Sequence, residues 1–365
     1  MEHMNEHLFA VIMAGGGGER LWPVSTPERP KQFVTLFGGK ALLRHAVDRL
    51  EGLVPPERTF VVTARSLEEA TAEVCPALPR GNIVGEPMRR DTAAAAALAC
   101  GLVAARDPDG IALLLTADHI IGREEIFRET LADAAEVAAR EECIVTIGIE
   151  PTYPATGYGY IEAGDPVACP AGEGGGAKFR RARRFVEKPD AATASNYLAH
   201  GGFYWNSGMF CWSARAMAAA VREFAPGLEA LLKAPAEAED GREGGNAALA
   251  ARLDALYPTL PKISVDYAIM ERHRNVVMAR GTFDWDDVGS WNAAAKYLKD
   301  DGKGNAIGGG GQVKTLDSAG NIVVADEGRT VALLGVEGLV VVQHGDALLV
   351  CGKERAQELK KLLAK

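Results

Sequence analysis

Residues 9–33 read FAVIMAGGGGERLWPVSTPERPKQF, in which a short apolar stretch runs directly into four glycines. The apolar part, residues 9–13, predicts a strand, and glycines without Cβ atoms let the main chain approach a ligand closely. Successive main-chain N–H groups in such a loop can cradle phosphate oxygens, and Arg20 and Lys31 bring positive charge to the same region. A turn that only joined a strand to a helix would need neither RLWP nor PKQF. The segment therefore predicts a phosphate-binding loop.

The segment departs from two common phosphate-binding motifs. The Walker pattern GxxxxGK[ST] fails because Gly39-Lys40 is followed by Ala41, and Val34 stands at its first glycine position. The dinucleotide pattern GxGxxG, started at Gly15, meets Arg20 where its third glycine should stand. HExxH, GxSxG and CxxC motifs do not occur in the sequence either. A nicotinamide dehydrogenase would suit the alternating start of the chain, but it would not need RLWP or PKQF.

Apolar segments and helical patterns alternate through the first half of the chain. Strands are predicted at residues 60–63, 111–116 and 144–149, and helices at 40–50, 91–105 and 126–139. Further strands are predicted at 158–162, 183–187 and 203–212. This βαβα order predicts an α/β fold, with a Rossmann-like, mostly parallel mixed sheet flanked by helices.

A small C-terminal β unit is predicted after the four glycines at 308–311. Strand-like segments recur at 322–324, 331–334, 339–342 and 348–350, about nine residues apart, which indicates a solenoid-like arrangement. A short helix at 354–363 closes the chain. We therefore expect domains at 1–304 and 305–365. Residues 170–176 predict a flexible loop, and 233–247 a mobile low-complexity surface insertion.

Composition narrows the class of protein. The chain has 365 residues, with 40 Lys and Arg against 49 Asp and Glu, so its formal charge is −9. This acidic balance disfavours a sequence-independent nucleic-acid binder, but local Arg and Lys can still attract a small anion. The six cysteines form no CxxC pair, which favours reduced thiols. Without a signal peptide or a long apolar run, we expect a cytoplasmic protein that does not associate with a membrane.

Seven further motifs occur in order: GEPMRRDTAAA (85–95), LTADHII (115–121), GIEPTYPATGYGYIE (148–162), FVEKPD (185–190), WNSGMFCW (205–212), SVDYAIME (264–271) and FDWDDVGSW (283–291). With the glycine loop, they resemble the sugar nucleotidyltransferases, specifically the mannose-1-phosphate guanylyltransferases, over nearly the whole chain. The resemblance implies that 1–304 is the nucleotidyltransferase domain. It also implies transfer of a guanylyl group from GTP to α-D-mannose 1-phosphate, which gives GDP-mannose and pyrophosphate.

A magnesium site is expected from two aspartates. Asp118 follows a buried strand at its carboxyl end, where open α/β sheets bind ligands, and carboxylates suit Mg²⁺. The alternative for Asp118 is to cap the next helix. The resemblance implies Asp287 as the second ligand and leaves Asp286 as a solvated or supporting neighbour. We expect a structural role for His119, because imidazole is a poor match for Mg²⁺.

The resemblance also implies the substrate contacts. It makes Arg20 and Lys31 catalytic through their charge on the leaving pyrophosphate. It assigns the nucleotide to Ala14, Gly15, Gly16, Gly17, Gly18, Glu86, Arg90, Asp91, Thr92 and Ala117. It assigns the sugar phosphate to Tyr158, Gly159, Glu187, Lys188, Asn206 and Gly208. The sequence departs from the family form RNTAPA at Asp91 and Ala94. Because a carboxylate cannot donate to the guanine carbonyl, base selectivity stays open.

The chemistry implied is in-line attack of the sugar phosphate on the α-phosphorus of the triphosphate. The second pKa of a phosphate monoester is about 6, so the attacking group needs no general base. The same chemistry on another sugar, such as a manno-heptose, or with another nucleotide, is the nearest alternative. A non-catalytic nucleotide-sugar sensor would be expected to lose an aspartate or Lys31. We expect no isomerase activity from the short segment 305–365, and the oligomeric state stays open, with a homodimer as one expectation.

Overall fold

The computed structural model describes residues 6–16, 19–168, 178–239 and 245–363. The chain forms two compact units. The first contains Met1–Gly15, Val47–Thr116 and Ile121–Trp285, and the second contains Gly16–Ala46, Ala117–Ile120 and Asp286–Lys365. The expected boundary at residue 304 falls within the second unit, and the limits 1–304 and 305–365 stay a prediction.

The elements follow in chain order. The strands are β1 Leu8–Ala14, β2 Thr59–Ala64, β3 Ile83–Glu86, β4 Ile111–Thr116, β5 Ile120–Ile121, β6 Ile144–Ile149, β7 Tyr160–Val167, β8 Phe179–Val186, β9 Phe203–Ser213, β10 Val276–Gly281, β11 Trp285–Asp286, β12 Lys299–Asp300, β13 Ala306–Gly309, β14 Gln312–Leu316, β15 Ile322–Ala325, β16 Thr330–Leu334, β17 Leu339–His344 and β18 Ala347–Gly352. The α-helices are α1 Leu42–Asp48, α2 Glu68–Val74, α3 Asp91–Arg106, α4 Glu124–Glu141, α5 Ala191–His200, α6 Ala214–Phe224, α7 Glu229–Glu239, α8 Asn246–Leu256, α9 Trp291–Ala294 and α10 Leu359–Leu363.

The first unit is built on a nine-stranded sheet in the order β3-β2-β1-β4-β9-β6-β10-β8-β7. Strands β3, β2, β1 and β4 run parallel, as do β6 and β10, while β9 runs antiparallel to both β4 and β6. Strand β4 (IALLLT) is buried along almost its whole length, as expected for a central strand with both faces covered. The predicted mostly parallel mixed α/β sheet is confirmed.

One predicted surface segment instead forms part of the core of the first unit. Helix α7 packs against α3, and a Cβ atom on Gly101 would lie only 2.5 Å from the main-chain oxygen of Leu231. Ala234 and Ala238 of α7 are buried. The prediction of a mobile insertion at 233–247 is therefore wrong for the part within α7. The polar composition of this segment indicated a surface position. Its small residues are spaced four apart, however, and lie on one helix face, which allows close helix packing. Residues 170–176, and 240–244 of the insertion, lie outside the described residues.

The second unit has its own core and ends in the expected solenoid. Strands β13, β15 and β17 pair in parallel, and β14 pairs in parallel with β16. Ile322 lies opposite Val340, so one rung takes eighteen residues, and the nine-residue spacing reflects alternation between two sheets. Inside the turns, the Oδ1 atom of the buried Asn305 accepts bonds of 3.0 Å from the main-chain and side-chain nitrogens of Asn321.

Two sequence expectations concern the whole chain. Cysteines 75, 100, 143, 211 and 351, the cysteines among the described residues, carry free thiols, as expected. Among the helices described, none combines the length and the apolar character needed to cross a bilayer.

Candidate active site

A buried lysine joins both predicted metal ligands in the second unit. Lys31 is 6% exposed and begins a short 3₁₀ turn, Lys31–Phe33, whose other residues are also buried. Its Nζ donates to Asp118 Oδ2 at 2.9 Å and to the main-chain oxygen of Asp287. Residues far apart in the sequence are thus brought to one point, as the phosphate-binding interpretation requires.

The loop after β11 distinguishes its two aspartates. Asp286 is occupied within the protein, because its Oδ1 accepts from the Val288 N–H at 2.8 Å and its Oδ2 from Lys296 Nζ at 2.9 Å. Asp287 Oδ1 accepts from the Gly289 N–H at 3.1 Å. Val288 has a φ of 43°, a left-handed conformation that is uncommon for a β-branched residue. The turn therefore holds Asp286 as a support and orients Asp287 separately.

Arg20 lies close to Asp287 across Gly289. A Cβ atom on Gly289 would stand 3.0 Å from Asp287 Oδ2 and 3.2 Å from Arg20 Nη1. Glycine therefore keeps open the space between the guanidinium and the carboxylate. Arg20 itself is exposed, in the 3₁₀ turn Glu19–Leu21, where it can reach an anionic ligand.

The charges of this cluster favour ionised carboxylates. Burial acts to raise the pKa of Asp118, but the Lys31 ammonium and, to a smaller degree, His119 hold that pKa below its usual value. The buried His119 places its Nε2 3.8 Å from Asp118 Oδ1. The residues described contain no group of three or more His, Cys, Asp or Glu side chains arranged for a metal ion. Two carboxylates nevertheless fit Mg²⁺, which usually takes one or two from the protein and completes its shell with water and phosphate.

In the first unit, a half-buried glutamate lies beside Gly15. Gly15 follows β1, and a Cβ atom there would lie 3.4 Å from Glu86 Oε2. Glu86 ends β3, and its Oε1 accepts a 2.8 Å bond from the Tyr257 hydroxyl. Burial raises the pKa of Glu86 to about 7, against the smaller opposite effect of this bond. Tyr257 was not among the predicted site residues, since an isolated tyrosine outside the family motifs gives no signal in the sequence.

The turn before α3 uses its polar groups internally. Arg90 donates to the main-chain oxygens of Tyr257 at 2.6 Å and Pro258 at 2.9 Å. Asp91 has a φ of 65°, and its Oδ1 accepts from the Thr92 N–H at 2.8 Å. Asp and Asn both tolerate this left-handed conformation, so the substitution of Asp for the family Asn preserves the turn. The nucleotide contacts of these residues stay predictions.

The predicted sugar-phosphate residues cluster around Gly159 in the first unit. A Cβ atom on Gly159 would lie 2.5 Å from Glu187 Oε2 and 3.4 Å from the Cβ of Asn206, so a larger residue would displace the Glu187 carboxylate. Lys188, with a φ of 46°, donates to Glu187 Oε1 at 2.5 Å. Gly208, with a φ of 71°, donates its N–H to Asn206 Oδ1 at 3.1 Å. The structure thus brings together five residues predicted from three motifs.

One acidic residue of this cluster was missed. Asp266 Oδ1 accepts a 2.7 Å bond from Asn206 Nδ2. The residue begins a π-helical turn, Asp266–Met270. Burial and, secondly, the charge of Glu187 raise the pKa of Asp266 to about 6. The motif SVDYAIME carried the signal, but nothing in its pattern assigned a task to the aspartate.

Aromatic rings adjoin the sugar residues. Tyr158, predicted for this site, packs edge-on against Trp205 and Trp285, with centroids 5.2 Å and 5.4 Å away. Tyr153 lies 4.8 Å from Trp205.

The remaining predicted residues are placed as follows: Ala14 ends β1 in the first unit, exposed Gly16 and buried Ala117 belong to the second unit, and Gly17 and Gly18 lie outside the described residues.

Comparisons with known proteins identify the family of the chain. Residues 9–303 match the family described as Nucleotidyl transferase, and residues 311–365 match the MannoseP isomerase/GMP-like beta-helix domain. The chain belongs to the nucleotidyl transferase family. The resemblance seen in the sequence is thereby confirmed, and the second match agrees with the solenoid of parallel rungs.

Several relatives of this nucleotidyl transferase are similar over almost all of its chain. A mannose-1-phosphate guanylyltransferase from Escherichia coli is 38% identical over 356 residues, which cover 97% of this chain and 73% of the relative. The alginate biosynthesis protein AlgA from Pseudomonas aeruginosa is 34% identical, with 97% and 71% covered. A crystal structure from Thermus thermophilus, described as mannose-1-phosphate geranyltransferase, superimposes with a TM-score of 0.83 at 39% identity, over 98% of each chain.

Proposed function

We propose that this nucleotidyl transferase transfers a guanylyl group from GTP to α-D-mannose 1-phosphate and releases pyrophosphate. The observation that carries the proposal is the bridge made by Lys31 between the Asp118 carboxylate and the main chain of Asp287. It places a cation for phosphates on the carboxylate of Asp118 and on the main chain of the second aspartate proposed to bind a metal ion. The name of the E. coli relative supports the choice of mannose and guanosine substrates.

The reaction needs charge stabilisation more than proton transfer. An oxygen of the sugar phosphate forms a bond to the α-phosphorus of GTP, and the bond from that phosphorus to pyrophosphate breaks on the opposite side. Since the attacking phosphate is already mostly dianionic near neutral pH, no side chain has to remove a proton. Lys31 and Arg20 offset the charge of the departing pyrophosphate. Main-chain amides of the glycine loop orient the phosphates.

Asp118 and Asp287 are the residues that would hold Mg²⁺. When bound, the ion supplies positive charge to phosphate oxygens and helps to align them. The low pKa of Asp118 suits this role, because metal ligands must be deprotonated. Asp286 is not needed for it, since its two oxygens already accept bonds from Val288 and Lys296.

Glu86 supports the choice of guanine. An ionised carboxylate only accepts hydrogen bonds, and guanine presents two adjacent donors, its N1–H and its 2-amino group. Adenine lacks this pair. Tyr257 fixes one oxygen of Glu86 and leaves Oε2 on the side of Gly15, next to the proposed phosphate loop. With this arrangement, selection of the base rests on Glu86 and needs no hydrogen bond donated by Asp91.

A substrate panel tests the proposal. Pyrophosphate release is measured with ATP, CTP, GTP and UTP against the 1-phosphates of mannose, glucose and a manno-heptose, with and without Mg²⁺. We expect GTP with mannose 1-phosphate and Mg²⁺ to give the highest kcat/KM. A higher value for another sugar or base would reassign the substrate. Pyrophosphate release from none of the pairs would contradict the enzymatic proposal and favour a binding protein.

A further inference from the structure

The side-chain amide of Asn206 is engaged within the protein. Its Oδ1 accepts hydrogen bonds from the Thr146 hydroxyl and the Gly208 N–H, both at 3.1 Å. These two bonds use both lone pairs of the amide oxygen. Its Nδ2 donates to Asp266 Oδ1 at 2.7 Å. Asn206, which the sequence suggested as a direct partner of sugar hydroxyls, therefore holds Asp266 in place.

The main chain around Asp266 is fixed as well. The Glu271 N–H donates to the Asp266 carbonyl oxygen at 3.0 Å, which closes a π-helical turn. The Val265 N–H donates to the Thr92 hydroxyl at 2.9 Å. Turns of π-helix are rare in proteins, and those that occur are often found at functional sites. The main chain of Asp266 and one oxygen of its carboxyl are thus both held by hydrogen bonds. This suits a group that must meet a ligand in one orientation.

The carboxyl belongs to the same cluster as Glu187 and Lys188. Asn206, its hydrogen-bond partner, and Glu187 Oε2 both lie next to the Cβ position of Gly159. The pKa of Asp266 is raised by burial and by the charge of Glu187, and the charge of Asp266 in turn acts to raise the pKa of Lys188. Two carboxyls thus share the electrostatic influence of one ammonium, which leaves their mutual repulsion only partly offset and is a cost for folding alone.

We propose that Asp266 is a second hydroxyl acceptor beside Glu187 in the sugar-phosphate site and helps to select the configuration of the sugar. A hexose 1-phosphate matches the cluster chemically, since its hydroxyls donate to carboxylates and its phosphate attracts Lys188. This inference rests on the proposed function and deepens it. A sugar with a hydroxyl turned away would leave the half-buried Asp266 acceptor unsatisfied. Sites built to bind a hydroxyl strongly reject analogues that lack it.

The test measures binding as well as turnover. Binding of mannose 1-phosphate and its 2-, 3-, 4- and 6-deoxy analogues is followed by intrinsic tryptophan fluorescence, to which Trp205 and Trp285 beside Tyr158 contribute. Asp266→Asn keeps the shape and an acceptor for Asn206 but removes the charge. We expect it to weaken mannose 1-phosphate binding roughly 10- to 100-fold, with the KM for GTP unchanged. Asp165→Asn, at a side chain 87% exposed, is the matched control.

The deoxy analogues identify the sugar hydroxyl that donates to Asp266. One of them should bind the wild type roughly 10- to 100-fold more weakly, and Asp266→Asn should not discriminate against that analogue. Asp266→Ser repeats the comparison if the asparagine variant folds poorly. The assignment of Asp266 alone would be overturned if Asp266→Asn, Asp266→Ser and the wild type bound mannose 1-phosphate with equal affinity. It would also be overturned if all three proteins showed the same relative loss of affinity for every deoxy analogue. A wild type that binds no sugar phosphate would overturn the proposed function together with the assignment.

Discussion

Asp118 in the second unit differs from Glu86 and Asp266 in the first unit in the kind of donor that holds its carboxyl group. In the second unit, Asp118 accepts from the ammonium of Lys31 at 2.9 Å, and its pKa lies below the usual value despite burial. In the first unit, Glu86 accepts from the neutral hydroxyl of Tyr257 and Asp266 from the neutral amide of Asn206. Their pKa values are raised to about 7 and about 6.

The difference separates two chemical tasks. A carboxylate that must bind a metal ion has to stay charged at all working pH values, which a buried lysine ensures. A carboxyl that reads hydroxyl or N–H groups is most selective when it is buried, and it tolerates a neutral partner and a higher pKa. The proposed roles of Asp118 and Glu86 therefore follow from their surroundings and not from their residue type. Substitutions in the two units should accordingly have different consequences for turnover, substrate selection and pH dependence.

The largest effect is expected from removing the charge of either aspartate that is proposed to bind the metal ion in the second unit. Asp118→Asn and Asp287→Asn should each lower Mg²⁺-dependent kcat by roughly 10³-fold, because the charge that holds the metal ion and orders the phosphates is lost. Thermal unfolding measures whether the fold is kept, and we expect it to be. Asp284→Asn, a nearby aspartate whose side chain is 72% exposed, is the control. Near-normal turnover in either site variant would contradict the metal assignment.

A smaller loss is expected from Lys188, which is 61% exposed, unlike the buried Lys31. Lys188→Ala should weaken use of mannose 1-phosphate roughly 10- to 100-fold through the lost phosphate contact, while the KM for GTP changes little. Initial rates with each substrate varied in turn measure the two effects. Arg183→Ala, a 61% exposed neighbour on β8, serves as the control. An unchanged kcat/KM for the sugar phosphate would remove Lys188 from the site.

Selectivity for the base should depend on Glu86. Glu86→Gln keeps an acceptor for Tyr257 but turns part of the acceptor pair into a donor, so kcat/KM for GTP should fall roughly 10-fold or more. Inosine triphosphate, which lacks the 2-amino group, should be a poorer substrate than GTP for the wild type. The variant should discriminate less between the two. Equal discrimination in both proteins would show that another group reads the base.

The sequence predicted the parts of this molecule that depend on local pattern. Strand β4 and the turn at Gly15 were recognisable because burial and loop chemistry leave marks within a few residues. The family motifs extended this to Lys31, Asp118 and Asp287, which the structure joins through one ammonium. The structure places these three residues together, and their roles toward phosphate and a metal ion stay predictions.

Other parts depended on contacts between distant segments. Helix α7 was misread because its small buried residues become meaningful only when α3 lies against them. Tyr257 lies far along the chain from Glu86, and Asp266 far from Asn206, so neither partnership leaves a trace in a single sequence. Raised pKa values follow from burial, which is likewise a property of the fold. The sequence named Glu86 but not Asp266, and it did not indicate the raised pKa of either carboxyl.

The smallest expected effect is a pH dependence that separates the two units. The pKa of Glu86 is raised to about 7 from an ordinary value of 4.5, so its charged form is lost as the pH falls through 7. The KM for GTP should therefore rise below pH 7, up to about tenfold per pH unit, because a protonated carboxyl no longer accepts both guanine donors. Asp118 has a lowered pKa and should contribute no change in this range.

Folding stability should show the opposite sign at the same residue. A raised pKa in the folded protein favours the protonated state, so this contribution is complete below pH 4.5 and disappears as the pH rises through about 7. Glu86→Gln should therefore gain stability relative to the wild type at pH 8, by roughly 1–3 kcal/mol, and much less at pH 5. Urea unfolding at both pH values measures this. If the variant follows the same pH profile as the wild type, both for the KM of GTP and for unfolding, then Glu86 is not the titrating group. The contrast between the carboxyl environments of Glu86 and Asp118 would then be contradicted.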